Sequence, residues 1–301
     1  MPKIQYIIKR FNSKSVELIE LAGEIIETFV AEGYSLTLRQ LYYQLVAKAV
    51  IENTVQSIQN RLGSLINDAR KAGLIDWEAI EDRTRELCAR PHWEQPSEIV
   101  ESAAEDYSID LWSDQAKRVE VWIEKDALVG VIEDTCTKLD APFFSCRGYI
   151  SQSEMWRAGM RMRHGVKKGQ VPIVIHLGDH DPSGIDMTRD IQDRLTMFVG
   201  KPVKVIRAAL NMNQIDQYQP PPNPAKTTDS RYAAYIELYG RESWELDALS
   251  PQVINAIVRK HVKQHMSKKK WEAREAVQEE RRATLTRISE SYEDVVEYLG
   301  E

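Results

Sequence analysis

The sequence predicts an α/β protein in which a small helical unit precedes a parallel sheet followed by C-terminal helices. Three observations predict it. Apolar side chains recur at helical spacing over the first 75 residues. From about residue 118 onward, apolar runs of strand length alternate with segments of helical period. One of those runs, Val171–Leu177, is almost unbroken, as a strand buried on both faces requires. A length of 301 residues suits about two domains, at 1–95 and 118–301 with a linker at 96–117.

The first helix is expected after Ser13 as cap, with Leu18, Leu21, Ala22, Ile25, Ile26, Phe29 and Val30 on one stripe and Gly33 as its stop. The second begins after Thr37 and carries Leu38, Leu41, Tyr42 and Leu45 on its apolar side. The third is expected over residues 54–71, with Gln56, Gln59, Asn60, Arg61, Asn67, Arg70 and Lys71 on its polar faces and Gly73 after it. Three short helices of this kind suit a winged-helix-like, helix-turn-helix unit that lays its third helix, and Arg61 with it, in a DNA groove. A plain three-helix bundle with a solvated face fits the same periodicity.

Tyr43 is expected off the apolar stripe, because adjacent residues of a helix point roughly 100° apart. Arg39 precedes it by four residues and shares its face. A phenol with a pKa of about 10 is a poor nucleophile at neutral pH, and a guanidinium beside it would steady the phenolate and a phosphate under attack.

In the second half, a strand at residues 119–123 runs into Glu124. A helix over 127–139, a strand at 142–146, a helix over 153–163, the strand Val171–Leu177, a helix over 185–198 and a strand at 203–206 complete a parallel series. Ligands of such sheets gather beyond the C-terminal strand ends. There Glu124 stands on one strand, and Gly178-Asp179-His180-Asp181-Pro182-Ser183-Gly184 follows another. Two carboxylates about 6 Å apart repel by roughly 3 kcal/mol at an effective dielectric near 20. A hard divalent cation, Mg²⁺ or Mn²⁺, removes that repulsion. A simple turn is the other reading of Asp-Pro-Ser-Gly.

Residues 214–230, with Pro220, Pro221, Pro222 and Pro224, read as a loop, and Lys226 within it suits either a phosphate contact or plain solvation. Ser250 and Pro251 begin a C-terminal helix. His261 with His265, and Cys88 with His92, are spaced for one helical face each and raise a zinc site across domains. Lys268, Lys269 and Lys270 suit a DNA backbone or a solvated face.

Composition narrows the classes. The chain is 43% hydrophobic and 29% charged, enough apolar residue for a real core, and no run approaches a membrane span. Three cysteines and no signal-like N-terminus fit a reducing cytoplasm. A net charge of -6 does not advertise nucleic acid, although residues 251–285 are locally basic.

Four segments carry a resemblance. Glu124-Lys125 after one strand and Gly178 to Gly184 after another resemble a TOPRIM domain, the fold of topoisomerases, primases and several nucleases. Thr37-Leu38-Arg39-Gln40-Leu41-Tyr42-Tyr43 resembles the DNA-cleaving helix of the topoisomerase VI A subunit and of the meiotic protein that makes programmed double-strand breaks. Trp244-Glu245-Leu246-Asp247-Ala248-Leu249 is similar to a late segment of the same family, so the likeness spans roughly residues 35–285. The resemblance implies that Tyr43 is the nucleophile, Arg39 its partner, and Glu124, Asp179 and Asp181 the Mg²⁺ ligands. It further implies double-stranded DNA as substrate, Lys125 among the DNA contacts, and a homodimer in which one protomer's tyrosine meets the other's metal site. The N-terminal arm is shorter than in the A subunits, residues 149–156 lack an expected Arg, and no phosphate loop of an ATPase occurs. Strand passage would therefore need a separate ATPase B-like subunit, and the compact length suits a prokaryotic or phage-encoded, nucleoid-associated protein. A metal-dependent hydrolytic nuclease and a DNA-binding module with a vestigial metal site are the rival expectations.

Overall fold

A computed structural model of the chain describes residues 3–34, 36–51, 62–80 and 90–300. Arg61, Cys88 and the first part of the expected third helix lie outside the described residues.

The helical unit forms as its periodicity requires. Helix α1, Ser13–Ala31, is capped by Asn12 rather than Ser13, the Asn12 side chain accepting from the Ser15 N–H. Helix α2, Leu38–Ala47, starts at a capping box in which Thr37 and Gln40 satisfy each other's backbone N–H groups. Helix α3, Gly63–Lys71, buries Ile66 and Ala69. These helices share one core, built from Ile19, Ile26, Phe29, Leu41, Tyr42, Tyr43, Leu45 and Leu62.

The expected linker is partly helical. Helix α4, Pro96–Asp106, begins with Pro in its first turn, and Leu111 and Trp112 then enter the sheet's core. The sheet is fully parallel with order β2-β1-β3-β4, formed by β1 Lys117–Ile123, β2 Phe143–Ser145, β3 Val171–Leu177 and β4 Lys204–Ala209. Helices α6, Gln152–Lys167, and α7, Pro182–Val199, cover one face through Trp122, Met155, Met162, Ile191 and Leu195. Helix α5, Val129–Lys138, covers the other face with a later helix, α10, Pro251–Lys263.

The loop expected over 214–230 holds most of helix α8, Met212–Tyr218, and strand β5, Asn223–Pro224, which pairs antiparallel with β6, Glu242–Ser243, across helix α9, Tyr232–Tyr239. A 3-10 turn, Leu246–Ala248, follows β6. Helices α11, Lys268–Glu290, and α12, Tyr292–Leu299, end the chain. Lys268, Lys269 and Lys270 open α11, which then lies along α4, Arg282 donating to the Tyr107 carbonyl (2.7 Å) and Gln278 accepting from the Ile109 N–H (2.9 Å). Among the described residues, no helix is long and apolar enough to cross a membrane.

Candidate functional site

Register brings the two carboxylate-bearing strand ends together. Ile123 pairs with Leu177, so β1 and β3 finish side by side. The Glu124 N–H donates to the Leu177 carbonyl, and the Glu124 carboxylate accepts from the Asp179 N–H, each at 2.8 Å. Two glycines permit this crowding. A Cβ on Gly178 would stand 2.8 Å from Glu124 Oε2, and one on Gly184 would stand 2.2 Å from the Asp179 carbonyl oxygen. Asp181 caps α7, its Oδ1 accepting from the Gly184 N–H (2.6 Å) and the Ser183 hydroxyl (2.9 Å). The turn reading is thus realised as a helix cap on the carboxylate rim.

Arg207, on β4, fastens the loop from below. It donates to the carbonyls of Gly178 (3.2 Å) and Gly184 (2.8 Å), to that of Asp179, and to the Thr188 hydroxyl (3.0 Å). Burial, with Arg207 nearby, holds His176 down to about 3 and His180 down to about 4, so both rings are neutral at pH 7. The backbone of His180 pairs with Trp244, and its ring bonds the Tyr235 hydroxyl at 2.8 Å.

That pairing fixes the 244–249 segment over the rim. The Leu246 N–H donates to Asp179 Oδ1 at 2.8 Å. Glu245 and Asp247 close around Lys125, whose ammonium lies 2.8 Å from Glu245 Oε2, 2.9 Å from Asp247 Oδ1 and 3.1 Å from Asp179 Oδ2. Arg39, reaching over from α2, pairs with the same Glu245 and, at 2.6 Å, with Asp247. Its guanidinium lies 5.8 Å from the Tyr43 ring centre. Ala248 enters the core of the helical unit. One short segment therefore joins the tyrosine helix to the strand ends within a single chain.

The two carboxylate groups differ sharply in charge balance. Burial, then Asp179 and Asp181, push Glu124 up to about 7. Burial raises Asp179 to about 6 against the pull of Lys125. Burial alone would also raise Glu245, but Lys125 and Arg39 hold it near 2. Burial, then Asp247 and Glu245, push the Tyr43 phenol above the ordinary tyrosine range, against the pull of Arg39.

Several expected site residues sit differently from their sequence reading. Tyr43 was expected off the apolar stripe, yet it is only 2% exposed, because the 244–249 segment covers the face that α2 would otherwise turn to solvent. Lys125, expected on DNA, is enclosed by carboxylates. Lys226 is exposed before α9 and makes no ion pair among the described residues. His261 and His265 lie at the end of α10, where His265 bonds Lys117 at 3.3 Å, and His92 is exposed near α4. Glu245, Asp247 and Arg207 were not singled out as site residues. For the first two, the 244–249 motif was the available signal; an arginine on a strand offers none.

Among the described residues, no group of three or more His, Cys, Asp or Glu side chains stands arranged around a common metal position. The donor chemistry nonetheless fits a hard cation. Glu124 commits Oε2 and Asp181 commits Oδ1 to hydrogen bonds, while their second oxygens make none among the described residues. Burial is the first cause of the raised Glu124 and Asp179, and at Glu124 the charges of Asp179 and Asp181 add to it, a balance that a hard cation would relieve. No protein-family model matches this chain, and no curated protein matches its sequence.

Proposed function

We propose that the chain cleaves double-stranded DNA by transesterification, as a homodimer resembling the A subunit of a type IIB topoisomerase with its winged-helix-like and TOPRIM parts. The single observation that carries this reading is that Tyr43 and Arg39 on α2 meet the same carboxylates, Glu245 and Asp247, that hold Lys125 beside Asp179. Tyr43 stands 81 residues before Glu124 and 136 before Asp179 in the chain, yet shares Asp247 and Glu245 with Asp179 as carboxylate neighbours.

In this reading the Tyr43 Oη attacks a backbone phosphorus and the bond to O3′ breaks. The phenol gives up its proton and the leaving O3′ gains one, so the products are a 5′-phosphotyrosyl link and a free 3′ hydroxyl. The link conserves the phosphoester bond, and reversal reseals the strand. Tyr43 is buried, so attack requires α2 to part from the Leu246–Ala248 turn. The same movement frees Arg39 for the phosphate. Glu124, Asp179 and Asp181 would hold Mg²⁺ or Mn²⁺, which when bound offsets negative charge growing on the phosphate. Strand passage would draw on a separate ATPase subunit, and the place of work would be the cytoplasmic nucleoid.

Supercoiled DNA incubated with Mg²⁺ or Mn²⁺, stopped with detergent and run with and without protease, tests the reading. Protein joined to 5′ ends, and lost in Tyr43→Phe, is the expected result. The burial of Tyr43 favours one rival, hydrolysis by water at the same carboxylates. In that case free phosphate-bearing ends persist in Tyr43→Phe and vanish in Glu124→Ala.

A further inference from the structure

Outside the carboxylate rim, α6 carries a surface that the cleavage reading does not use. Its inner side, Met155, Ala158, Gly159, Met162 and Gly165, is buried against the sheet. On its outer side, Trp156, Arg163 and Lys167 recur at i, i+7 and i+11, which places them within about 20° of one line along the helix. Trp156 is 51% exposed, an unusual position for the largest side chain. Arg157 pairs with Glu154 and Arg161 with Glu120, whereas Arg163, Lys167 and the following Lys168 make no ion pair among the described residues. Cations in the last turn of a helix answer its dipole, but Arg157 and Arg163 lie before that turn.

The head of this line touches the rim. The Arg194 guanidinium ties α7 to the start of α6, donating to the Ile150 carbonyl (2.8 Å) and the Gln152 side chain (2.9 Å). Just before them stands Tyr149, 44% exposed, with its hydroxyl 2.7 Å from Asp186 and 3.5 Å from the Ser183 carbonyl, two residues beyond Asp181. The Arg231 guanidinium lies 5.3 Å from the Tyr149 ring centre and donates to its hydroxyl.

We infer that the outer face of α6, headed by Tyr149, binds a single-stranded segment of nucleic acid leaving the carboxylate rim. Unpaired cations recognise a polyanion, and the two exposed aromatic rings that precede them in the chain recognise unstacked bases. A duplex hides its base faces and can use only the cations. A lipid surface is disfavoured because the apolar side of α6 is already spent on the sheet. The cleavage reading supplies nucleic acid as the class of partner and the exposed rings select the single strand; the binding itself is read without cleavage, so either idea can fail alone.

The test is fluorescence anisotropy with the full chain in EDTA. The probes are a labelled oligo-dT of about 15 nucleotides and a duplex of equal length, at about 0.1 M salt. Trp156→Ala and Tyr149→Ala each weaken the single strand by about ten-fold and leave the duplex within about two-fold, while Trp156→Phe keeps most of the affinity. Reversal of charge at Arg163→Glu with Lys167→Glu weakens both probes and flattens the salt dependence. Unchanged melting temperatures separate lost contacts from lost folding. Single-strand affinity that stays within about two-fold in both alanine variants overturns the inference. So does equal loss of duplex and single strand, or displacement of the oligonucleotide by poly-glutamate at equal charge.

Discussion

Two groups of carboxylates meet at the strand ends, one enclosed by two cations and the other reaching a single ammonium through Asp179 alone. Glu245 and Asp247 face Lys125 and Arg39, and Glu245 is held near 2. Glu124 and Asp179 are joined by one hydrogen bond; burial, then Asp179 and Asp181, pushes Glu124 up to about 7, and burial, with Asp247 and Glu245, pushes Asp179 up to about 6 against the pull of Lys125. The same residue type thus has opposite roles over one residue's reach. The enclosed pair is a lock between the helical unit and the sheet, and the less compensated set, Glu124 above all, is where an added cation gains most.

Lys125 is the point at which the comparison breaks hardest. Lys125→Met leaves Asp179, Glu245 and Asp247 short of their shared ammonium, and an unbalanced buried charge of this kind costs about 3–5 kcal/mol. Urea denaturation at pH 7 reads the loss, and adding Asp247→Asn restores part of it. A loss below about 1 kcal/mol would place the lock's strength in packing instead of charge.

Glu124→Gln is expected to move stability the other way. The folded-state pKa of Glu124 is raised, so its contribution to stability is fully present below about 4.5 and is lost as pH rises through about 7. Glutamine keeps an acceptor for the Asp179 N–H and removes the charge. The variant is therefore more stable than the parent at pH 8, by about 3 kcal/mol, and close to it near pH 4.5. His176 and His180 slope oppositely, since their lowered pKa values remove stability as pH falls below 6.5. The difference between variant and parent cancels that background. A pH-independent gap would sink the assignment of the shift to Glu124.

A smaller effect sharpens the same contrast. Protons compete with a divalent cation for the raised carboxylates, so Mg²⁺ affinity in calorimetry falls by up to about ten-fold per pH unit between about 7 and 6, where Glu124 takes up a proton, and more steeply below about 6, where Asp179 takes up a second. Glu245 stays ionised there and adds nothing to the slope.

The alternating strands and helices were legible because parallel strands buried on both faces need continuous apolar runs, and β3 is one. The carboxylates were legible for the complementary reason that Glu124, Asp179 and Asp181 interrupt those runs at their C-terminal ends. Local pattern failed where a distant partner decides burial. Tyr43 reads as exposed on α2 alone, and only residues 244–249, some 200 positions later, cover it. Helix α4 was missed although Pro96 and Glu98 mark its start, because its partner α11 is equally remote in sequence. Arg207 carried no signal at all, since a strand arginine acquires meaning only from the carbonyls it faces.

The smallest expected stability change belongs to Tyr43→Phe, and its smallness is informative. The ring keeps its edge-on contact with Tyr42, at 5.2 Å between centres, and its place beside Arg39 at 5.8 Å. Only a hydroxyl next to Glu245 is lost, in a place where Lys125 and Arg39 already satisfy that carboxylate. A change under about 1 kcal/mol is therefore expected in urea denaturation. With folding intact, loss of the protein–DNA adduct in the same variant isolates the phenol's chemistry. A loss of about 2 kcal/mol or more would instead make the hydroxyl a member of the lock, and would turn the comparison toward a purely structural tyrosine beside a hydrolytic rim.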